Sequence, residues 1–157
     1  MTPKRVSTRY VNTSLEKKVP ESSIVIDDPN RFRWSVKFTD FADSKFGIQK
    51  LKHEYLFPEV IGFLIHYSTM TWGEILRASG GRRNGNNNHG LELDSLTPAG
   101  KNAVIRVQNE NAEIDKEWPV FSLRTEGQKR ILGFRERTTF HLVWYDMDHS
   151  FSKRNSS

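Results

Sequence analysis

The sequence predicts a single α+β domain: an N-terminal strand, two to three helices, then a three-stranded antiparallel meander, forming one sheet covered by helices. Three observations carry this prediction. Phe32, Trp34, Val36 and Phe38 alternate with Arg33, Ser35 and Lys37, the period of a strand with one buried face. Two apolar segments with helix-start signals follow it. The last third then holds three apolar runs separated by short polar turns.

The elements follow in order. Residues 1–30 are rich in Ser, Thr, Lys and Arg, with Ile24-Val25-Ile26 the one apolar cluster, and read as a mobile basic arm. Lys4, Arg5, Arg9, Lys17 and Lys18 on it can reach phosphates, or can simply be solvated. The domain spans 31–151. Its first strand ends at the polar stretch from Asp40 to Ser44. Val60, Ile61, Leu64 and Ile65 then form the apolar stripe of a helix from Pro58 to Tyr67, with Pro58 in the first turn, where a missing N–H costs nothing. Thr71-Trp72-Gly73-Glu74 has the spacing of a capping box and starts a second helix through Ile75 and Leu76.

The run from Gly80 to Gly90, GGRRNGNNNHG, favours turn and left-handed backbone and predicts an exposed mobile loop. Thr97-Pro98 supplies an N-cap followed by proline at the first helical position, and Ala99, Ala103, Val104 and Val107 give that helix an apolar face. Acidic Glu110, Glu113, Asp115 and Glu117 lead into the meander. Its strands run from Phe121 to Arg124, Lys129 to Arg135 and Phe140 to His149, with Glu126-Gly127-Gln128 and Glu136-Arg137-Thr138 as turns. Residues 152–157 read as a disordered tail. The first strand is expected to pair with the meander while the helices cover one face, in two layers.

At 157 residues the chain suits one domain with a real core, to which its four Trp and ten Phe contribute most area per residue. Its formal net charge of +5 favours an anionic partner. With no cysteine, the chain has no disulfide, no thiolate-bound zinc and no cysteine nucleophile. No apolar run approaches a membrane span and no secretory leader is visible, so a cytoplasmic location without membrane contact is expected. No P-loop, dinucleotide fingerprint or serine nucleophile elbow occurs, and no cofactor is expected.

The meander is studded with Arg124, Arg130, Arg135 and Arg137, and its last strand ends in Asp146-Met147-Asp148-His149. This order of elements, with a basic sheet and a polar strand end, resembles the RelE/YoeB/HigB-like toxin superfamily. FRWSVKF, MTWGEIL, the Asn/His loop, FSLR, RILGFRE and FHLVWYDMDHS, covering most of Phe32 to His149, also resemble a family of small bacterial proteins. Members of that family end in a strand of the LWWD-x-x-H type, read here as Leu142-Val143-Trp144-Tyr145-Asp146-Met147-Asp148-His149 with one extra residue in the apolar run. The toxin resemblance implies a bacterial, RelE-like, metal-independent endoribonuclease of the mRNA-interferase type. It further implies a toxin–antitoxin or phage-defence setting, RNA as substrate, some of it ribosome-bound mRNA, and a neutralising antitoxin, an acidic segment laid on the basic sheet.

Such cleavage needs a base for the ribose 2′-OH, cations for the phosphorane and an acid for the departing 5′-oxygen. The expected catalytic group is His149, Arg130, Arg135 and Asp148, with Asp146 or Asp148 orienting the His149 ring. Histidine titrates near neutral pH, and arginine makes forked bonds to phosphate. Arg124, Lys129, Arg137, Arg82, Arg83 and His89 are the expected RNA contacts. Each has a plainer reading. Asp146 and Asp148 can cap a turn. Arg124 and Arg130 can pair with Glu126 or Glu136 across strands, and His89 can be a solvated loop residue. His53, His66 and His141 fall in apolar patterns, as do Trp34, Trp72, Trp118 and Trp144, and read as core. Asp146, Asp148, His149 and His89 are metal-ligand types, but nothing in their spacing demands a metal. The rival function is a non-catalytic module of the same fold that binds nucleic acid or an acidic protein, and a third is an adaptor with neither role. An enzyme needs His149 and the arginines to converge, whereas a binder can spread its cations over a flat surface.

Overall fold

The computed structural model describes residues 28–78 and 88–154. Expectations for residues 1–27 of the arm, for most of the Gly/Asn loop with Arg82 and Arg83, and for the last three residues therefore lie outside the described residues, whereas Asn30 and Lys153, expected in arm and tail, bond to the backbone of Trp72 and Ser95. The architecture is α+β. Strands β1 (Arg33–Ser35), β2 (His89–Leu91), β3 (Val120–Arg124), β4 (Arg130–Glu136) and β5 (Thr139–Asp146) form one five-stranded mixed sheet. Its order is β1-β5-β4-β3-β2, with β1 parallel to β5 and every other pair antiparallel. The tight turns that join β3, β4 and β5 explain why the meander is readable in the sequence.

The first strand is shorter than its alternation suggests. After Ser35 the chain turns, with the Ser35 hydroxyl accepting from the Lys37 amide at 3.1 Å and Thr39 N–H donating to the Val36 carbonyl at 3.2 Å. Val36 is left exposed, and Phe38 swings to the opposite face from Phe32. Part of the predicted loop is also strand. Asn88 is buried, and His89–Leu91 pairs with β3, the register His89↔Ser122 and Leu91↔Val120. The Asn/Gly composition hides this short edge.

The helix at Pro58 starts earlier than proline position alone suggests. Helix α1 (His53–Leu56) runs through a π turn (Phe57–Ile61) into α2 (Gly62–Tyr67), with Gly62 N–H donating to the Phe57 carbonyl. Pro58 cannot donate and its ring crowds the preceding turn, and the widened backbone accommodates both. Helix α3 (Trp72–Arg77) starts at the reciprocal Thr71–Glu74 capping box, and α4 (Pro98–Glu110) at the Thr97 cap.

The expected two layers are three. Val60, Leu64, Trp72 and Ile75 pack with Phe121, Leu123, Ile131, Phe140 and Leu142 on one face. Ala103, Val104 and Val107 of α4 pack with Val120, Leu132, Phe134, Val143 and Trp144 on the other. Apolar side chains leave both faces of β4 and β5, so one covered face could not have kept them from water. A bulge in β5 sharpens this. Leu132 pairs with Trp144 while Gly133 pairs with Leu142, so Val143 is the extra residue, and Arg130 falls opposite Asp146. Among the described residues no helix is long and apolar enough to cross a membrane.

Candidate functional site

The corner where β3 ends, β4 begins and β5 ends gathers the chain's most unusual charges. The β3–β4 turn is closed by Thr125 N–H to the Lys129 carbonyl at 3.1 Å and Lys129 N–H to the Glu126 carbonyl at 2.8 Å. Gly127 takes a φ of 55° at its tip, a left-handed value that glycine adopts at little cost. The Gly127 carbonyl points back toward the strands. It accepts from Arg124 Nε and from Arg130 Nη1, each at 3.1 Å, and Arg130 Nη1 also donates to the Lys129 carbonyl at 2.9 Å. Arg124 and Arg130 are direct cross-strand partners as well. Like charges placed opposite one another destabilise a sheet, so this pairing calls for an anion. Burial, and then the Arg124 charge, push the Arg130 pKa down, against the opposing charge of Asp146.

Asp146 is the natural counter-charge, opposite Arg130 and buried. Its oxygens are engaged locally, Oδ1 by Ser150 N–H at 3.0 Å and Oδ2 by Phe151 N–H at 2.9 Å. Burial and the adjoining Asp148 raise its pKa, which further weakens it as a neutraliser. Asp148 accepts from the Ser150 hydroxyl at 2.6 Å. Both aspartates thus tie down the turn that carries His149, rather than the His149 ring itself.

That turn holds His149 at a φ of 56°, a conformation strained for a side chain with Cβ and concentrated at functional positions. Burial, and then Arg130, depress the pKa of His149 below its ordinary value near 6.5, with Arg154 and His89 adding to the effect. The ring is therefore a neutral base at neutral pH. Its Nε2 lies 3.5 Å from the Ser152 hydroxyl. His89 shares this face, because Leu91 two residues on packs into the α4-side core. Behind it, buried Asn88 accepts from Arg124 N–H at 2.9 Å and from the Tyr67 hydroxyl at 3.2 Å, tying β2 to β3 and to the helix layer.

The expected site residues thus divide. His149, Arg130, Arg124, His89 and Asp148 share one corner. Arg135 does not: it lies toward the other end of β4, on the opposite face, its guanidinium 3.8 Å from the Trp72 ring centroid. Arg137 sits in the β4–β5 turn at that far end, giving its carbonyl to Arg135 Nε at 2.9 Å. Lys129 points to the helix layer, where it meets Glu59 of the π turn at 2.9 Å, and Glu59 also takes the Tyr145 hydroxyl. Period-two alternation already places residues five apart, such as Arg130 and Arg135, on opposite faces. Glu136 lies 3.0 Å from His141 rather than answering an arginine of the corner.

Sequence reasoning missed Arg154. Its Nη2 donates to Gln128 Oε1 and to the Asp148 carbonyl, both at 3.2 Å, joining the β3–β4 turn to the His149 turn. The Lys153-Arg154 pair was its one signal, in a segment that reads as tail. Beside it opens a cleft of about 610 Å³, lined by Lys45, His149, Lys153 and Arg154 together with Thr97 and Pro98 of α4. Among the described residues no three metal-ligating side chains converge. Comparison with protein-family models, with curated proteins and with solved structures finds no match to this chain.

Proposed function

We propose that this chain is a toxin-like endoribonuclease that grips the RNA backbone at the Arg124–Arg130 corner and cleaves it without a metal. One observation carries the reading: two arginines, opposed across strands and sharing the Gly127 carbonyl, lie beside a histidine held neutral at neutral pH. A phosphate fits the two opposed guanidinium groups with paired charge-assisted bonds. His149 takes the proton of the ribose 2′-OH, and the 2′-oxygen attacks phosphorus. The bond to the 5′-oxygen then breaks, with a proton supplied from the His89 side, and a 2′,3′-cyclic phosphate and a 5′-hydroxyl result. Arg124 and Arg130 stabilise the charge that builds on the phosphorane.

A second reading follows from the aspartates. Because Asp146 and Asp148 are engaged by the 150–151 turn, neither is the ring-orienting carboxylate expected beside a strong base. The same corner then binds RNA, or an acidic segment of a partner protein, without cutting. Purified wild-type chain, His149→Ala and Arg130→Ala, incubated with single-stranded RNA in excess chelator, separate the two. Fragments ending in cyclic phosphate, lost in both folded variants, are the expected result. RNA that is bound but intact establishes the binding module, and RNA that is not bound removes the nuclease and the RNA-binding module and leaves the acidic protein partner.

A further inference from the structure

Resting on the reading of the Arg124–Arg130 corner as a phosphate site, we propose that the cleft beyond His149 is a second phosphate subsite. The ligand is accordingly a single-stranded polynucleotide lying across His149, rather than a mononucleotide. Lys45, His149, Lys153 and Arg154 line this cleft, and Asp148 is the single acidic side chain among its lining residues. That carboxylate is already engaged by the Ser150 hydroxyl and lies in the field of Lys45. The cations of the cleft therefore exceed what it can neutralise.

The cleft adjoins the β3–β4 turn of the arginine corner, with Gln128 of that turn in its lining. Arg154 bonds to Gln128, the residue next to Gly127, whose carbonyl holds Arg124 and Arg130. His149 sits between the two groups of cations, belonging to the cleft lining while feeling the charge of Arg130. A chain of phosphates bridging them passes the histidine with one phosphate anchored on each side. Base identity is weakly read by such a site. The cleft lining includes no aromatic ring besides His149, so stacking contributes little and the backbone is what is recognised.

The experiment is equilibrium binding of a 5′-phosphorylated mononucleotide, a single-stranded oligoribonucleotide and a poly-glutamate peptide over a range of salt. It compares wild-type chain, Lys45→Ala/Lys153→Ala and Arg124→Ala/Arg130→Ala, each shown folded by circular dichroism. The oligonucleotide is expected to bind wild type more tightly than the mononucleotide. The lysine variant is expected to erase that advantage, to leave mononucleotide binding unchanged, and to flatten log Kd against log salt by about 0.7 for each phosphate no longer neutralised. Oligonucleotide binding that depends on the arginines but is untouched in the lysine variant overturns the second subsite and leaves the corner standing. Nucleotide binding that is untouched in the arginine variant overturns the corner, and the inference with it. Preference for poly-glutamate over RNA also overturns it, in favour of an acidic protein partner.

Discussion

Two arginine-centred clusters on the α4 side of the sheet make opposite use of the same side chain. Arg106 of α4 meets Asp40, Asp43 and Glu110, and Asp40 also takes the Trp144 indole N–H at 3.0 Å and the amides of Ala42 and Asp43. Burial opposes ionisation of Asp40, yet these bonds, Arg106 first, hold its pKa below the ordinary carboxylate value. Every strong charge there has an answer. At the Arg124–Arg130 corner two cations stand opposite each other and share the Gly127 carbonyl, while the Asp146 carboxylate across from Arg130 is bonded to backbone amides. The first cluster pairs a cation with carboxylates, whereas the second sets two cations opposite each other, the arrangement that the proposed function uses. Charge count does not distinguish them, and the sign of the facing group does.

Substitutions can break this comparison, and the largest effect is expected at the first cluster. Asp40→Ala strands the Arg106 guanidinium and the Trp144 N–H and should cost about 3 kcal/mol of stability, measured by urea unfolding. RNA binding by the folded fraction should not change. Next comes Arg130→Ala. It removes one member of a like-charge pair along with two bonds to carbonyls, so stability should move by less than about 1 kcal/mol. RNA affinity should fall roughly ten- to a hundredfold, read by fluorescence anisotropy. If Arg130→Ala destabilises as much as Asp40→Ala, the corner is a structural knot and the contrast collapses.

Gly127→Ala sharpens the point, since the left-handed backbone there disfavours a Cβ by about 1 kcal/mol although nothing crowds it. A modest stability loss with a larger loss in RNA affinity would place the shared carbonyl in the binding geometry. The smallest effect is a titration. Removing the Arg130 charge as Arg130→Gln should raise the His149 pKa toward 6.5, followed by ring proton shifts in nuclear magnetic resonance. The stability effect has a definite sign. A histidine whose folded pKa lies below its unfolded value makes stability fall as pH drops from near 6.5 through the folded value, and Arg130→Gln should narrow that window.

The sequence showed its local signals well. The β3–β5 meander, the Thr71–Glu74 capping box and the Thr97-Pro98 helix start each depend on residues a few positions apart, and the structure has all three. Long-range choices were hidden. The parallel pairing of β1 with β5, the edge strand His89–Leu91 inside an Asn/Gly run, and the placement of α4 on the second face depend on which surfaces remain to be covered. The corner was half legible. Arg124 and Arg130 flank a tight turn and so had to meet, whereas Arg154 reaches Gln128 of that turn only because the chain doubles back after β5.

The bulge in β5 sets the reading frame of everything after it. Gly133 meets the strand so closely that a Cβ would lie 1.8 Å from the His141 carbonyl oxygen, which fixes where the extra residue is absorbed. Were Val143 paired in a regular ladder instead of bulged, Arg130 would face Tyr145 instead of Asp146. A one-residue deletion between the bulge and the strand end would leave composition and hydrophobicity almost untouched, yet it would put Met147 opposite Arg130 and Asp146 opposite Ile131 in the packed aromatic face. The last strand can therefore drift in side chain but not in length, and a related chain that keeps its residues while losing one position there has exchanged its chemistry for its core.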